Sequence, residues 1–375
     1  MITGSALTPL RESVTALPAG HPADLPATGQ QSSIFMEKGM TEEKILLAHG
    51  SGGRLTHDLI RHVFLPRFSN PLLDILDDSA KIHHPSGTIA FTTDSYVVHP
   101  LFFSGGDIGK LAVCGTVNDL AMVGATSSYL SLALIIEEGL PLSTLDRIVA
   151  SVRETAEQAR VTIVAGDTKV VEHGKGDQLF INTSGVGWVR PGVNLSGTNP
   201  KPGDKILLSG TLGDHEMAIL SSREGLQIQG PINSDCAPLN DLVEKMLDVC
   251  PSIRCMRDPT RGGLATTLNE IASASNTGMI IEEERIPVRE SVRGLCELLG
   301  LDPLYLANEG KLIAICPPEA AHPLLRVLKG HSFGKEAEVI GTVTEENPKR
   351  VVLRTFIGSH RIVDMLTGAQ YPRIC

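Results

Sequence analysis

A chain of 375 residues with 42% hydrophobic content is long enough for two domains with a core each, but aromatics supply only 4%, so aliphatic packing must fill them. A formal charge of -10 argues against nucleic acid or an anionic membrane as the main partner, since both reward basic patches. The seven cysteines form no CxxC pair and no zinc-like cluster, which fits a reducing, cytoplasmic compartment, and no stretch approaches the ~18 apolar residues of a membrane span.

Residues 1–40 are rich in Pro, Ser, Thr and Gly and lack the apolar core of a signal peptide, which predicts a disordered leader. An apolar run from Ile45 then meets the cluster Gly50-Ser51-Gly52-Gly53, followed by a helical pattern through Leu59, Ile60, Val63 and Phe64. The plain reading is a strand-to-helix turn. The sharper one is a loop whose backbone N–H groups cover an anion, although the spacing is neither Walker A nor GxGxxG.

Thr88–Asp94 reads as a buried strand ending in a carboxylate, with Asp77-Asp78 shortly upstream. The segment Leu111–Ala125 is apolar on almost every side, so it is expected to be a buried helix, with Asn118 and Asp119 as polar residues in its middle. A structural hydrogen-bonded pair and a functional pair are equally open there. A third apolar strand, Val161–Ala165, runs into Gly166-Asp167-Thr168-Lys169. Three apolar segments thus each deliver an aspartate, and converging carboxylates repel unless a cation neutralises them. Hard oxygen ligands suit Mg²⁺ better than zinc, and magnesium implies phosphate.

Gly and Pro at 191–202 mark a linker between domains at 41–190 and 203–365. The second domain opens on the strand from Lys205 and carries two turns, Asp258-Pro259-Thr260-Arg261-Gly262-Gly263 and Asn308-Glu309-Gly310-Lys311, whose interest depends on whether they face the first domain. Residues 366–375 form a short arm, flexible at Gly368, stiffened at Pro372 and bearing Cys375, whose thiol is nucleophilic as thiolate. Taken alone, that cysteine reads more readily as an incidental residue of a disordered end.

The ordered set His49–Gly53, Thr93–Tyr96, Gly115–Asp119, Gly166–Val171, Gly213-Asp214-His215, Asn308–Lys311 and Pro372–Cys375 resembles the hydrogenase maturation factors of the aminoimidazole ribonucleotide synthetase-like ATP-binding superfamily over about residues 45–375. Asp77-Asp78-Ser79-Ala80 departs from the Asp-Asp-Gly-Ala common in relatives. The resemblance implies an α/β (α+β) fold of two domains with mixed sheets and flanking helices, and a homodimer with ATP near the interface. It implies that Asp78, Asp94, Asp119 and Asp167 hold Mg²⁺ and triphosphate, that Asn118 and Thr168 help fix the nucleotide, and that Gly52 and Gly53 cover the phosphates. Lys169 and Glu309, both expected on interior turns at strand edges, would flank the meeting point of Cys375 and ATP.

The implied activity is ATP-dependent dehydration of an S-carboxamide on Cys375 to a thiocyanate. HypF would supply the carbamoyl group and a HypC–HypD complex would receive the cyanide. A small-molecule synthetase or kinase of the same superfamily, in which Cys375 is idle, and a nucleotide-gated scaffold are the rival expectations.

Overall fold

The computed structural model describes residues 44–46, 49, 58–71, 73–74, 87–224 and 232–366. Of the residues singled out above, Gly52, Gly53, Asp78 and Cys375 lie outside them, as does the leader.

A π-helical turn, Ile60–Phe64, leads into the short helix α1 (Leu65–Phe68). The first domain is then built on a four-stranded sheet of β1 (Ile89–Tyr96), β4 (Ala125–Glu137), β5 (Thr162–Val171) and β6 (Leu179–Val189), in the order β1-β6-β4-β5. Strands β2 (Phe102–Phe103) and β3 (Gly106–Asp107) make a small ribbon leading into helix α2 (Ile108–Met122), and α3 (Leu142–Ala159) crosses over between β4 and β5. Only that crossover pair is parallel, as a helical connection requires.

Helix α2 starts where Asp107 caps the N–H groups of Gly109 and Lys110 at 2.7 and 3.0 Å. It is buried on nearly every side, as its all-round apolarity predicts. Two glycines let it sit low. A Cβ at Gly185 would lie 2.7 Å from Thr116 Cγ2, and one at Gly115 would lie 2.2 Å from the Tyr96 hydroxyl.

The second domain holds a seven-stranded sheet, ordered β13-β12-β9-β11-β7-β10-β8. Its strands are β7 (Lys205–Leu208), β8 (Cys255–Arg257), β9 (Gly278–Glu282), β10 (Ile313–Cys316), β11 (Glu338–Thr344), β12 (Val351–Arg354) and β13 (His360–Val363). Helices α4 (Asp214–Glu224), α5 (Asn240–Val249), α6 (Gly263–Ser275), α7 (Glu290–Leu299) and α8 (Pro318–Gly330) flank it. The cores are less separate than two domains suggest. Leu111, Val113 and Val117 of α2 share one apolar cluster with Met217 and Leu220 of α4 and with Val292 of α7, while Ala121 and Met122 join another with α5 and α8. Helix α2 therefore serves both domains, and its polar middle lies in the seam between them. Among the described residues no helix is long and apolar enough to cross a membrane.

Candidate active site

Adjacent residues of α2 have different roles, because successive side chains on a helix point about 100° apart. Asn118 is buried and fully engaged: its amide donates to the carbonyls of Ala237 and Glu309 at 3.1 and 3.3 Å, and its oxygen accepts from the Leu239 N–H at 2.8 Å. It joins the domains. Asp119 faces instead into a cleft of about 480 Å³ between β1, α2 and the turn that opens α6, lined also by Thr92, Arg257, Asp258, Arg261 and Glu270.

Asp119 and Asp258 line this cleft, and the Asp94 carboxyl lies against Asp119. Asp94, on β1, accepts from the Tyr96 hydroxyl at 3.1 Å, and Asp119 accepts from the Thr92 hydroxyl at 2.8 Å. Burial, then the charges of Asp258 and Asp94, push Asp119 up to about 7. Burial, with the Asp94 charge, pushes Asp258 up to about 6 against the pull of Arg257. Glu309 is buried close by, and its carboxyl is raised well above the usual range by burial and then by Asp258 and Asp235. Burial and mutual repulsion thus raise all three carboxyls, and at Asp258 they outweigh the Arg257 cation.

The backbone that carries Glu309 is tightly fixed. Its N–H donates to Asp235 Oδ1 at 3.1 Å, and a Cβ on Gly310 would lie 1.8 Å from the Asp235 carbonyl oxygen, so only glycine fits. Asp235 in turn pairs with Lys311 Nζ at 3.0 Å. Asn308 accepts the Gly213 N–H at 2.8 Å and donates to the carbonyls of Pro259 and Leu306 at 3.1 and 2.8 Å. Both turns of the second domain thus face the first.

Asp167, Thr168 and Lys169 lie elsewhere. Strand β5 continues through them to Val171, so they are strand residues and not a turn. Asp167 and Lys169 pair with Ala133 and Ile135 of β4, on the face opposite the buried Leu132 and Leu134, and both are exposed. The expectation that Lys169 is interior is therefore corrected: in one chain it lies across the sheet from Glu309. Asp94 sits level with Gly166, through Thr183 and Leu132, at the opposite edge of the sheet. Three strand spacings separate them, roughly 14 Å, too far for one cation.

The donor set at Asp94, Asp119 and Asp258 is hard oxygen, and its mutual repulsion is what a magnesium ion relieves. Among the described residues no three such groups form a ready-made ligand set, so water or phosphate oxygens would complete the coordination. Sequence reasoning missed Asp258, Asp235 and Tyr96 as site residues. The Asp258–Gly263 turn was visible, but nothing local says what it faces.

The fold and this seam define a class. Residues 76–189 match the family "AIR synthase related protein, N-terminal domain" and residues 201–354 match "AIR synthase related protein, C-terminal domain". The chain is 55% identical to the carbamoyl dehydratase HypE of Azotobacter vinelandii over 329 residues, 88% of this chain and 96% of that one. It is 51% identical to the hydrogenase maturation protein HypE crystallised in complex with ATP, with a TM-score of 0.85 over 88% of this chain and 99% of the other. It is also 51% identical to a chain of the HypE–HypF complex, with a TM-score of 0.73 over 82% and 99%. The chain belongs to the HypE family of carbamoyl dehydratases.

Proposed function

We propose that this protein uses ATP to convert an S-carboxamide on Cys375 into a thiocyanate, supplying the cyanide ligand of the iron in a [NiFe]-hydrogenase. The observation that carries the reading is the cluster of acids Asp94, Asp119, Asp258 and Glu309 at the seam, in a chain of the HypE family. A carbamoyl oxygen is a poor leaving group. Phosphoryl transfer from ATP, with magnesium spreading the charge, turns it into phosphate.

Asp94 and Asp119, with Asp78 from outside the described residues, hold the magnesium and triphosphate, and Asp258 closes the cleft from the second domain. Gly52 and Gly53 cover the phosphates. The amide nitrogen gives up both its protons, one as the oxygen is phosphorylated and the second, to Glu309, as the carbon–oxygen bond breaks. The burial of Glu309 suits that task, because a carboxylate that binds protons tightly is the stronger base. The sulfur keeps the carbon and nitrogen as a nitrile, and the oxygen leaves with phosphate. The domains run over 41–190 and 203–365, and the arm 366–375 carries the thiol between the cleft and its partners.

A homodimer completes the centre. Strands β1 and β5 are the two edges of their sheet, and Ile89, Phe91 and Ile135 on its open face are 51%, 68% and 42% exposed. Joining β5 of one copy to β1 of another brings the strand that carries Asp167, Thr168 and Lys169 up to the strand that carries Asp94. There Lys169 stabilises charge on the transferring phosphoryl group. HypF supplies the carbamoyl group, a HypC–HypD complex takes the cyanide, and the cytoplasm keeps the thiol reduced.

Mass spectrometry of the C-terminal peptide tests the reaction. Incubation with HypF, carbamoyl phosphate and ATP is expected to add a carbamoyl group to Cys375 and then remove one water from it. A chain lacking residues 366–375 that still turns over ATP on a free small molecule would overturn the reading in favour of a kinase or synthetase.

A further inference from the structure

The β12–β13 hairpin ends in a turn that holds two large apolar side chains in water. The Thr355 N–H donates to the Ser359 carbonyl at 2.9 Å, and the Gly358 N–H donates to the Thr355 carbonyl at 2.8 Å. The Thr355 and Ser359 hydroxyls lie 2.7 Å apart, and the Phe356 N–H donates to Glu283 Oε2 at 3.0 Å. Gly358, at φ +82°, supplies the left-handed residue that closes the turn. On this fixed frame Phe356 and Ile357 are 70% and 74% exposed. Neither belongs to a core cluster, so their placement serves no packing within the described chain.

The position of the hairpin matters as much as its shape. Strand β13 is the sheet edge, Ile362 and Met365 on the way out of it are also exposed, and the described chain ends at Leu366, whose N–H reaches Thr266 Oγ1 at 3.5 Å. Residues 367–375 span at most roughly 30 Å when extended. A macromolecule that works on the Cys375 sulfur from outside must sit within that radius of Leu366, and β13 runs from the apolar tip toward that root.

We infer that the Phe356–Ile357 tip is the docking point of the carbamoyl donor that loads Cys375. This rests on the proposed function and adds the surface that serves it. The occupant follows from one observation and two steps of the proposed function. In the proposed homodimer a second copy takes the open face of the first sheet. A relative 51% identical to this chain forms a crystalline complex with HypF, so a partner of this class docks on this fold. The loading step also needs Cys375 outside its own cleft, which a partner held on the outer hairpin achieves. In that step the sulfur–carbon bond forms as the activated carbamoyl–oxygen bond of the donor breaks and the thiol proton leaves.

The test compares the parent with a Phe356→Ser/Ile357→Ser chain, using HypF with carbamoyl phosphate and ATP. Both side chains already stand in water, so the melting temperature is expected to stay put. At sub-saturating HypF the carbamoylation rate is expected to fall roughly ten- to thirtyfold, as for loss of an apolar anchor, and to recover at high HypF. Phe356→Leu/Ile357→Val should stay near the parent rate. Once loaded at high HypF, the serine variant should dehydrate its carboxamide at the parent rate. Unchanged loading at sub-saturating HypF would overturn the inference, as would a loss confined to cyanide delivery or a dimer that falls apart. If the loaded parent itself fails to lose water with ATP, the proposed function fails instead, and the same experiment shows which of the two has gone.

Discussion

Asp235 and Glu309 are joined by a hydrogen bond from the Glu309 N–H, and both are buried in the seam between the domains, yet their carboxyls move in opposite directions. Burial pushes each of them up. At Asp235 the Lys311 cation and the Glu309 N–H outweigh it and hold the carboxyl below its ordinary value. At Glu309 and Asp119 neighbouring acids add to the burial, and at Asp258 burial with the Asp94 charge outweighs the pull of Arg257. A buried acid with its own counter-ion is part of the scaffold. One without it is poised to take a proton or a metal.

The sharpest way to break this comparison is to neutralise one acid of each kind. Glu309→Gln is expected to leave folding and carbamoylation of Cys375 intact while slowing dehydration by about 10²- to 10⁴-fold, the usual cost of a general base, so that the S-carboxamide accumulates. A parent rate of nitrile formation by mass spectrometry would remove Glu309 from the role. Lys311→Met should do the reverse and act first on stability, because it strands Asp235 and leaves Asp214 short of a cation. Chemical denaturation should register a loss of about 3–5 kcal/mol, typical of breaking a buried pair. An undiminished midpoint would mean that the pair is not structural.

Asp258→Asn is the intermediate case. It removes a repelling charge, so stability in the absence of nucleotide should hold or rise slightly, while magnesium-dependent ATP binding weakens. Titration calorimetry with and without MgCl₂ checks both halves, and a variant that loses stability but keeps its ATP affinity would place Asp258 with the scaffold.

The elements were legible where an apolar run stood alone: the buried helix α2, β7 and the turn opening α6 fall where the pattern puts them, while β1 falls in place but is not the buried strand expected, since Ile89 and Phe91 stand exposed on the open face of the sheet. The chemistry was legible only as far as residue type. Asn118 and Asp119 look alike in sequence, yet one is spent on backbone groups of the second domain while the other lines the cleft. Which does which depends on the rotation of α2 against a domain that begins more than 80 residues later. Lys169 shows the same limit in a strand. Its face is fixed by the β4–β5 register, a long-range pairing that a one-residue slip would invert.

The smallest expected effect is in the pH dependence of stability, and there the two kinds of acid oppose each other. An unfolded aspartate titrates near 4, whereas Asp119 and Asp258 titrate at about 7 and about 6 in the folded chain. Their folded forms keep protons that the unfolded forms release. The stability they contribute is fully present below about pH 4 and is lost as pH rises through 6 and 7. Asp235, held low, runs the other way: its contribution is present above about pH 4 and is lost as pH falls through its folded value. Magnesium should act mainly on the first kind, replacing protons at Asp119 and Asp258 but leaving Asp235 with its lysine. Thermal unfolding at pH 5 and pH 8, with and without MgCl₂, should therefore show a larger metal-induced stabilisation at pH 8. In Asp258→Asn both the decline toward pH 8 and its rescue by magnesium should shrink. Equal stabilisation at the two pH values would mean that metal does not compete with protons in this cleft, and the contrast between the two kinds of acid would then rest on packing alone.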